Sequence, residues 1–152
     1  MQNIKLKGWY EFEIRDINGN LKDKWSVKNA VMNVGFAQLA LLAGDATAVP
    51  FTYLAVGTST TAVAASQTAL QAELTDSGLA RHTATVSRVT TTQTNDTLRL
   101  VYQWSVSGTK TVEEVGVFND STVGTMLSRA LTTSKSLLSG DFLTITYNVK
   151  FS

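Results

Sequence analysis

Tyr10, Phe12 and Ile14 alternate with Glu11, Glu13 and Arg15, the two-residue period of a strand with one face buried. Asp16-Ile17-Asn18-Gly19-Asn20 follows, and Asn-Gly predicts a hairpin turn because both residues tolerate positive φ. The return strand places Leu21, Asp23, Trp25 and Val27 on one face. Leu98, Leu100, Tyr102, Trp104 and Val106 repeat the alternation against Arg99, Val101, Gln103 and Ser105. Leu143, Ile145, Tyr147, Val149 and Phe151 do so again against Thr144, Thr146, Asn148 and Lys150. Shorter strands are predicted over 51–56, 115–118 and 126–131, and a long, mostly polar one over 81–91. Asn95-Asp96 and Asn119-Asp120 supply turns.

Two segments depart from this period. Asn33 is the expected N-cap of a helix through Val34, Ala37, Leu41 and Leu42, ended by Gly44. That helix is apolar nearly all round, so burial against a sheet is expected. Ser66 is the expected cap of a short helical turn reaching Glu73, after a Thr/Ala/Ser loop over 58–65. Together these elements predict a mainly β chain: an antiparallel sandwich or barrel of about eight strands, with one buried helix and a short helical turn. The length of 152 residues suits one domain, with 1–8 as an extended N-terminal arm.

Composition narrows the function. Hydrophobic residues make up 43% and charged residues 16%, a globular balance in which Thr and Ser replace much of the usual charge. A formal net charge of +1 gives no field to draw the chain to nucleic acid or anionic lipid, so neither is an expected partner. No Cys is present, which excludes disulfides, thiolate metal sites and cysteine nucleophiles and fits folding in a reducing cytoplasm. The start lacks the apolar core of a signal peptide, and the longest apolar stretch, 34–43, is too short to span a bilayer. A soluble chain is expected.

Candidate chemistry is sparse. Asp16, Asn18 and Asn20 have the spacing of a calcium loop, but its sixth and twelfth positions hold Leu21 and Val27 instead of Gly and Glu. A plain turn is expected. His82 is the sole histidine, and no Gly-x-Ser-x-Gly elbow accompanies it. Glu113 and Glu114 are adjacent, so on a strand they point to opposite faces; one is expected exposed, the other satisfied by a cation or backbone amide. Gly57-Thr58-Ser59 and Gly108-Thr109-Lys110 lack the spacing of phosphate loops. Of the three tryptophans, Trp104 falls in core register, while Trp9, read as preceding the first strand, is the one expected at an interface. No catalytic, cofactor-binding or metal residue is assigned, and an enzyme is not expected.

Several blocks together resemble small accessory structural proteins of tailed bacteriophages. They are Asn29-Ala30-Val31-Met32-Asn33-Val34-Gly35, Tyr53-Leu54-Ala55-Val56-Gly57-Thr58 running on to Ser66-Gln67-Thr68-Ala69-Leu70 and Glu73, Glu114-Val115-Gly116-Val117-Phe118-Asn119, Met126-Leu127-Ser128-Arg129-Ala130, and Asp141-Phe142-Leu143-Thr144-Ile145-Thr146-Tyr147. The resemblance implies a virion protein synthesised in the host cytoplasm. Its two branches are head decoration (cement) proteins, which brace the capsid lattice, and fibre or baseplate-associated tail proteins. The absence of a fibre-like repeat or coiled-coil heptad favours head decoration. As partners the resemblance implies the major capsid protein or other virion proteins and copies of the chain itself, a trimer being expected. The contact residues expected from segments without strong fold signals are Ile4, Leu6 and Trp9 in 1–9, and Thr58, Thr60, Thr61 and Val63 in 58–65. A competing reading is a receptor- or glycan-binding module that uses Trp9.

Overall fold

The first hairpin forms where the alternation places it: β1 (Leu6–Arg15) pairs antiparallel with β2 (Leu21–Lys28). Asp16 closes the turn, its carboxylate accepting the backbone N–H groups of Asn18 and Asn20, with Gly19 at φ 81°. The expected plain turn is therefore what Asp16, Asn18 and Asn20 build. A computed structural model describes residues 2–152. After β2 come β3 (Ala30–Val31), α1 (Asn33–Gly44), β4 (Tyr53–Gly57), β5 (His82–Thr83) and β6 (Thr85–Val89). Then follow β7 (Thr97–Ser105), β8 (Lys110–Phe118), β9 (Met126–Leu137) and β10 (Phe142–Phe151).

The strands form two five-stranded antiparallel sheets, ordered β2-β1-β10-β7-β6 and β3-β9-β8-β4-β5. They pack face to face as a sandwich, not a closed barrel. One core cluster joins Tyr10, Phe12, Leu100, Trp104, Ile145 and Tyr147 of the first sheet to Leu54, Val56, Val115, Val117 and Ala130 of the second. Inward side chains of both sheets thus bury each other, which is what fixes register in a period-two pattern. Across the gap the Tyr10 hydroxyl hydrogen-bonds the Ser128 hydroxyl. Desolvation pushes the phenols of Tyr10 and Tyr147 well above the ordinary tyrosine range.

Four expectations need correction. The polar strand expected over 81–91 is two strands in different sheets, β5 and β6, separated by Ala84 alone. Ala84 is the corner: it is buried, and its N–H donates to the Thr52 carbonyl at 2.7 Å. The helical turn at 66–73 does not form; Glu73 instead makes a β-bridge with Gly57, and Leu74 N–H donates to the Val56 carbonyl. The chain there follows β4 because backbone pairing satisfies more groups than one isolated turn would. Of the expected arm, Leu6, Lys7 and Gly8 already lie in β1, paired with Phe151, Lys150 and Val149. Trp9 is likewise inside that strand, and Met1 lies outside the described residues. Finally, α1 is not buried: of its twelve residues only Gly35 is, and Asn33 does not cap it, since Met32 stands at the N-cap without a side-chain bond.

Candidate interaction surface

Gly35 shows how α1 is held. A Cβ built there would stand 2.5 Å from the Leu127 carbonyl oxygen and 2.8 Å from Leu127 Cα. The helix therefore lies in backbone contact with β9, a proximity only glycine permits. Met32 N–H donates to that same Leu127 carbonyl at 2.9 Å, and Asn33 N–H to the Ala65 carbonyl at 2.8 Å. Leu39 and Leu42 continue the inward stripe from Gly35 at helical spacing and pack on the main core. Gln38 pins the returning chain, its amide donating to the Val49 carbonyl at 2.9 Å.

The other side of α1 faces water with no polar cover. Phe36 is 51% exposed and Leu41 47%, with Ala37, Ala40 and Ala43 exposed among them. Alongside run the start of β1 and the end of β10, bringing Ile4 (81% exposed) and Phe151 (38%) to the same place. Ile4, Leu6, Phe36, Leu39, Ala40, Ala43 and Phe151 line a groove of about 440 Å³. Exposed apolar residues gathered on one face of a soluble domain are often an interaction site.

Of the residues singled out from sequence, Ile4 and Leu6 belong to this surface, and the others do not join it. Trp9 sits on the outer face of the first sheet, between Lys28 and Asn148 in register. Thr58, Thr60 and Thr61 are exposed on a segment that crosses the outer face of the second sheet, where Val63 packs with Met32, Leu70 and Phe118. That segment is tied down by a buried ion pair, contrary to the expectation of a loop free to order on binding. Arg129 Nε donates to Glu114 at 2.8 Å, both side chains being fully withdrawn from solvent. Arg129 Nη1 also donates to the Thr61 carbonyl and to Gln67, while the Glu114 carboxylate accepts the N–H groups of Gln71 and Ala72. Glu114 is thus the satisfied member of the Glu113-Glu114 pair, by cation and by amide together.

Phe36, Leu41 and Phe151 were missed because apolar residues in regular elements read as core. A signal was present: between Lys28 and Glu73 the only charged residue is Asp45. Among the described residues no three His, Asp or Glu side chains gather as a metal site, and no helix is long and apolar enough to cross a membrane. His82 is exposed and stacks on Tyr102 with ring centroids 4.1 Å apart.

A protein-family model described as podophage GP4 fiber I protein gp80 matches residues 26–149, from the end of β2 almost to the end of β10. The chain belongs to this fibre-protein family. No curated protein and no solved structure matches it. Membership makes the chain a bacteriophage structural protein, the class that the sequence blocks resembled. The match begins in the same region as those blocks, leaving β1 outside the family's matched segment.

Proposed function

We propose that the chain is a structural subunit of a phage fibre, acting by assembly and without catalysis, and that it self-associates through the α1 surface. The observation that carries the reading is the uncovered apolar face of Ile4, Phe36, Ala40 and Phe151 on a sandwich whose core is otherwise closed. A second copy is the occupant that fits. The face carries no charge, so two copies meet without like-charge repulsion or unpaired buried ions. Of the four sheet edges, β3 and β5 have two residues each, β2 exposes Lys22, Lys24 and Lys28, and β6 exposes Arg88 among small polar residues over its five positions. A standard interface of about 800 Å² per partner would also cover the exposed Ala37, Ala40, Ala43 and Val49.

Family membership supports the fibre reading over the head-decoration reading that the absence of a fibre-like repeat or heptad favoured. Sedimentation of the purified chain tests the assembly surface. The wild type is expected to form a defined oligomer, a trimer by preference, and Phe36→Asp to weaken association about thirty-fold or more while circular dichroism stays unchanged. A wild type that remains monomeric at high micromolar concentration would overturn self-association. Co-sedimentation with separated heads and tails then tests location, with binding to tails expected and saturable binding to heads alone restoring the decoration reading.

A further inference from the structure

We propose that the outer face of the first sheet is a binding site for acidic saccharides, centred on Trp9. The proposal does not rest on the α1 surface. On β1 the residues facing away from the core are Lys7, Trp9, Glu11, Glu13 and Arg15, alternating with buried Tyr10, Phe12 and Ile14. Register sets Lys28 of β2 and Asn148 of β10 on either side of Trp9, and Lys150 directly across from Lys7. Lys7, Gly8, Trp9, Ser26, Val27 and Lys28 line an open depression of about 400 Å³.

The floor beside the indole is pre-organised. Arg99 Nε donates to Asn148 Oδ1 at 2.9 Å, and Asn148 Nδ2 donates to Glu11 at 2.8 Å, with Asn148 fully buried. A second depression of about 230 Å³ continues along Glu11, Glu13, Lys24, Arg99, Thr144 and Thr146. Such a face has both parts a saccharide needs. An indole offers a flat apolar surface to the C–H face of a sugar ring, and the hydroxyls of Ser26, Thr144 and Thr146 face the ring hydroxyls.

Charge selects the acidic class. Glu13 is engaged by Arg15 at 2.6 Å, and Glu11 accepts from Asn148. Lys7, Lys24 and Lys28 are exposed and, among the described residues, make no ion pair. Lys150 leans toward Asp96 at 4.0 Å, leaving Lys7 without a counter-charge across a like-charged pair, an arrangement that an anion between them relieves. Nucleic acid fits less well, because the site has one stacking platform and the whole chain carries only +1. A bilayer fits less well because the face around the indole is polar.

Titration calorimetry of the full chain with oligogalacturonate, hyaluronan fragments and heparin fragments tests the site, with dextran and single-stranded DNA as comparisons. Saturable binding to at least one acidic saccharide is expected, weakening as salt rises. Trp9→Ala should lower affinity about tenfold or more, the scale of one stacked ring. Lys28→Gln, at an exposed position that leaves the fold alone, should lower it several-fold, and Phe36→Asp should leave per-site affinity unchanged. Failure of all three acidic probes, equal affinity for dextran or DNA, or unchanged affinity in both Trp9→Ala and Lys28→Gln would overturn the proposal, and none of these results would bear on oligomerisation.

Discussion

Arg129 and Glu114 are fully buried on the outward side of the second sheet, under the segment that covers it. Gly116 stands opposite Arg129 in the β8–β9 register, and Gly57 of β4 leaves the room that the Glu114 carboxylate occupies, since a Cβ there would collide with it. Burial of two ions is costly unless their remaining lone pairs and protons are used, and here two carbonyl-type acceptors and two backbone amides meet most of that demand, Arg129 Nη2 being left without a partner. Arg129→Met should therefore cost about 3–5 kcal/mol, because it strands Glu114 as an uncompensated buried charge; urea unfolding of the variant measures it. The segment carrying Thr61, Gln67, Gln71 and Ala72 should also become the first site of proteolysis. At the other extreme of pH, the buried phenols set a limit. Tyr10 and Tyr147 have their pKa values raised by desolvation, and for Tyr10 the neighbouring Tyr147 raises it further. A folded pKa above the unfolded one gives stability that is complete below the unfolded value, near 10, and drains away as pH rises beyond it. Alkaline unfolding should accordingly coincide with the appearance of phenolate absorbance, and Tyr147→Phe should shift that transition to higher pH. Phenolate signals from these two tyrosines in a chain still folded would refute the linkage. At this scale the sequence was partly readable: adjacency alone placed one of Glu113 and Glu114 in a satisfied environment, but the identity of its cation depended on a strand register that no local pattern reveals.

The stretches with strict alternation, β7, β10 and 10–15 of β1, appear where the sequence put them, since a period of two with large apolar residues has few other solutions, though β1 starts four residues earlier, at Leu6. Segment 81–91 was misread for a physical reason: its small and polar residues do not mark one face, so nothing local signals that the chain changes sheets at Ala84. The helix shows the converse failure. Residues 33–44 have an apolar surface all round, which sequence reasoning takes for burial on every side, yet the sandwich accepts only the stripe of Gly35, Leu39 and Leu42. Which stripe that is follows from Gly35, because the helix can approach β9 only where no Cβ intervenes. Gly35→Ala should push α1 off β9 by enough to disturb Met32 and Leu42 together, costing about 1–3 kcal/mol as an overpacking change, despite alanine's better helix propensity. Thermal unfolding with circular dichroism measures the loss. An unchanged or raised Tm would mean that the helix is held by its side chains and not by backbone contact.

At the scale of the whole molecule, two features that look independent in sequence prove to be neighbours: the start of β1 and the end of β10 close on α1, so that Ile4, Phe36 and Phe151 share one surface. Of the contact residues expected from sequence, those in 1–9 divide between two faces, Ile4 and Leu6 toward α1 and Trp9 onto the open sheet, because even- and odd-numbered positions of a strand point to opposite sides. This separation permits a subunit to be assembled through one face while another stays open to water. It also makes a thermodynamic claim. If the α1 face is covered only in the oligomer, native subunits are stabilised by one another by mass action, and the apparent Tm must rise with protein concentration. Phe36→Asp should move that dependence to concentrations about thirty-fold higher or more and converge with the wild type at high dilution, since the substitution sits outside the core and changes only the assembled state. A concentration-independent wild-type Tm would show that the folded subunit gains nothing from its neighbours. A variant that stayed less stable at every dilution would instead place Phe36 among the residues that hold the subunit itself together.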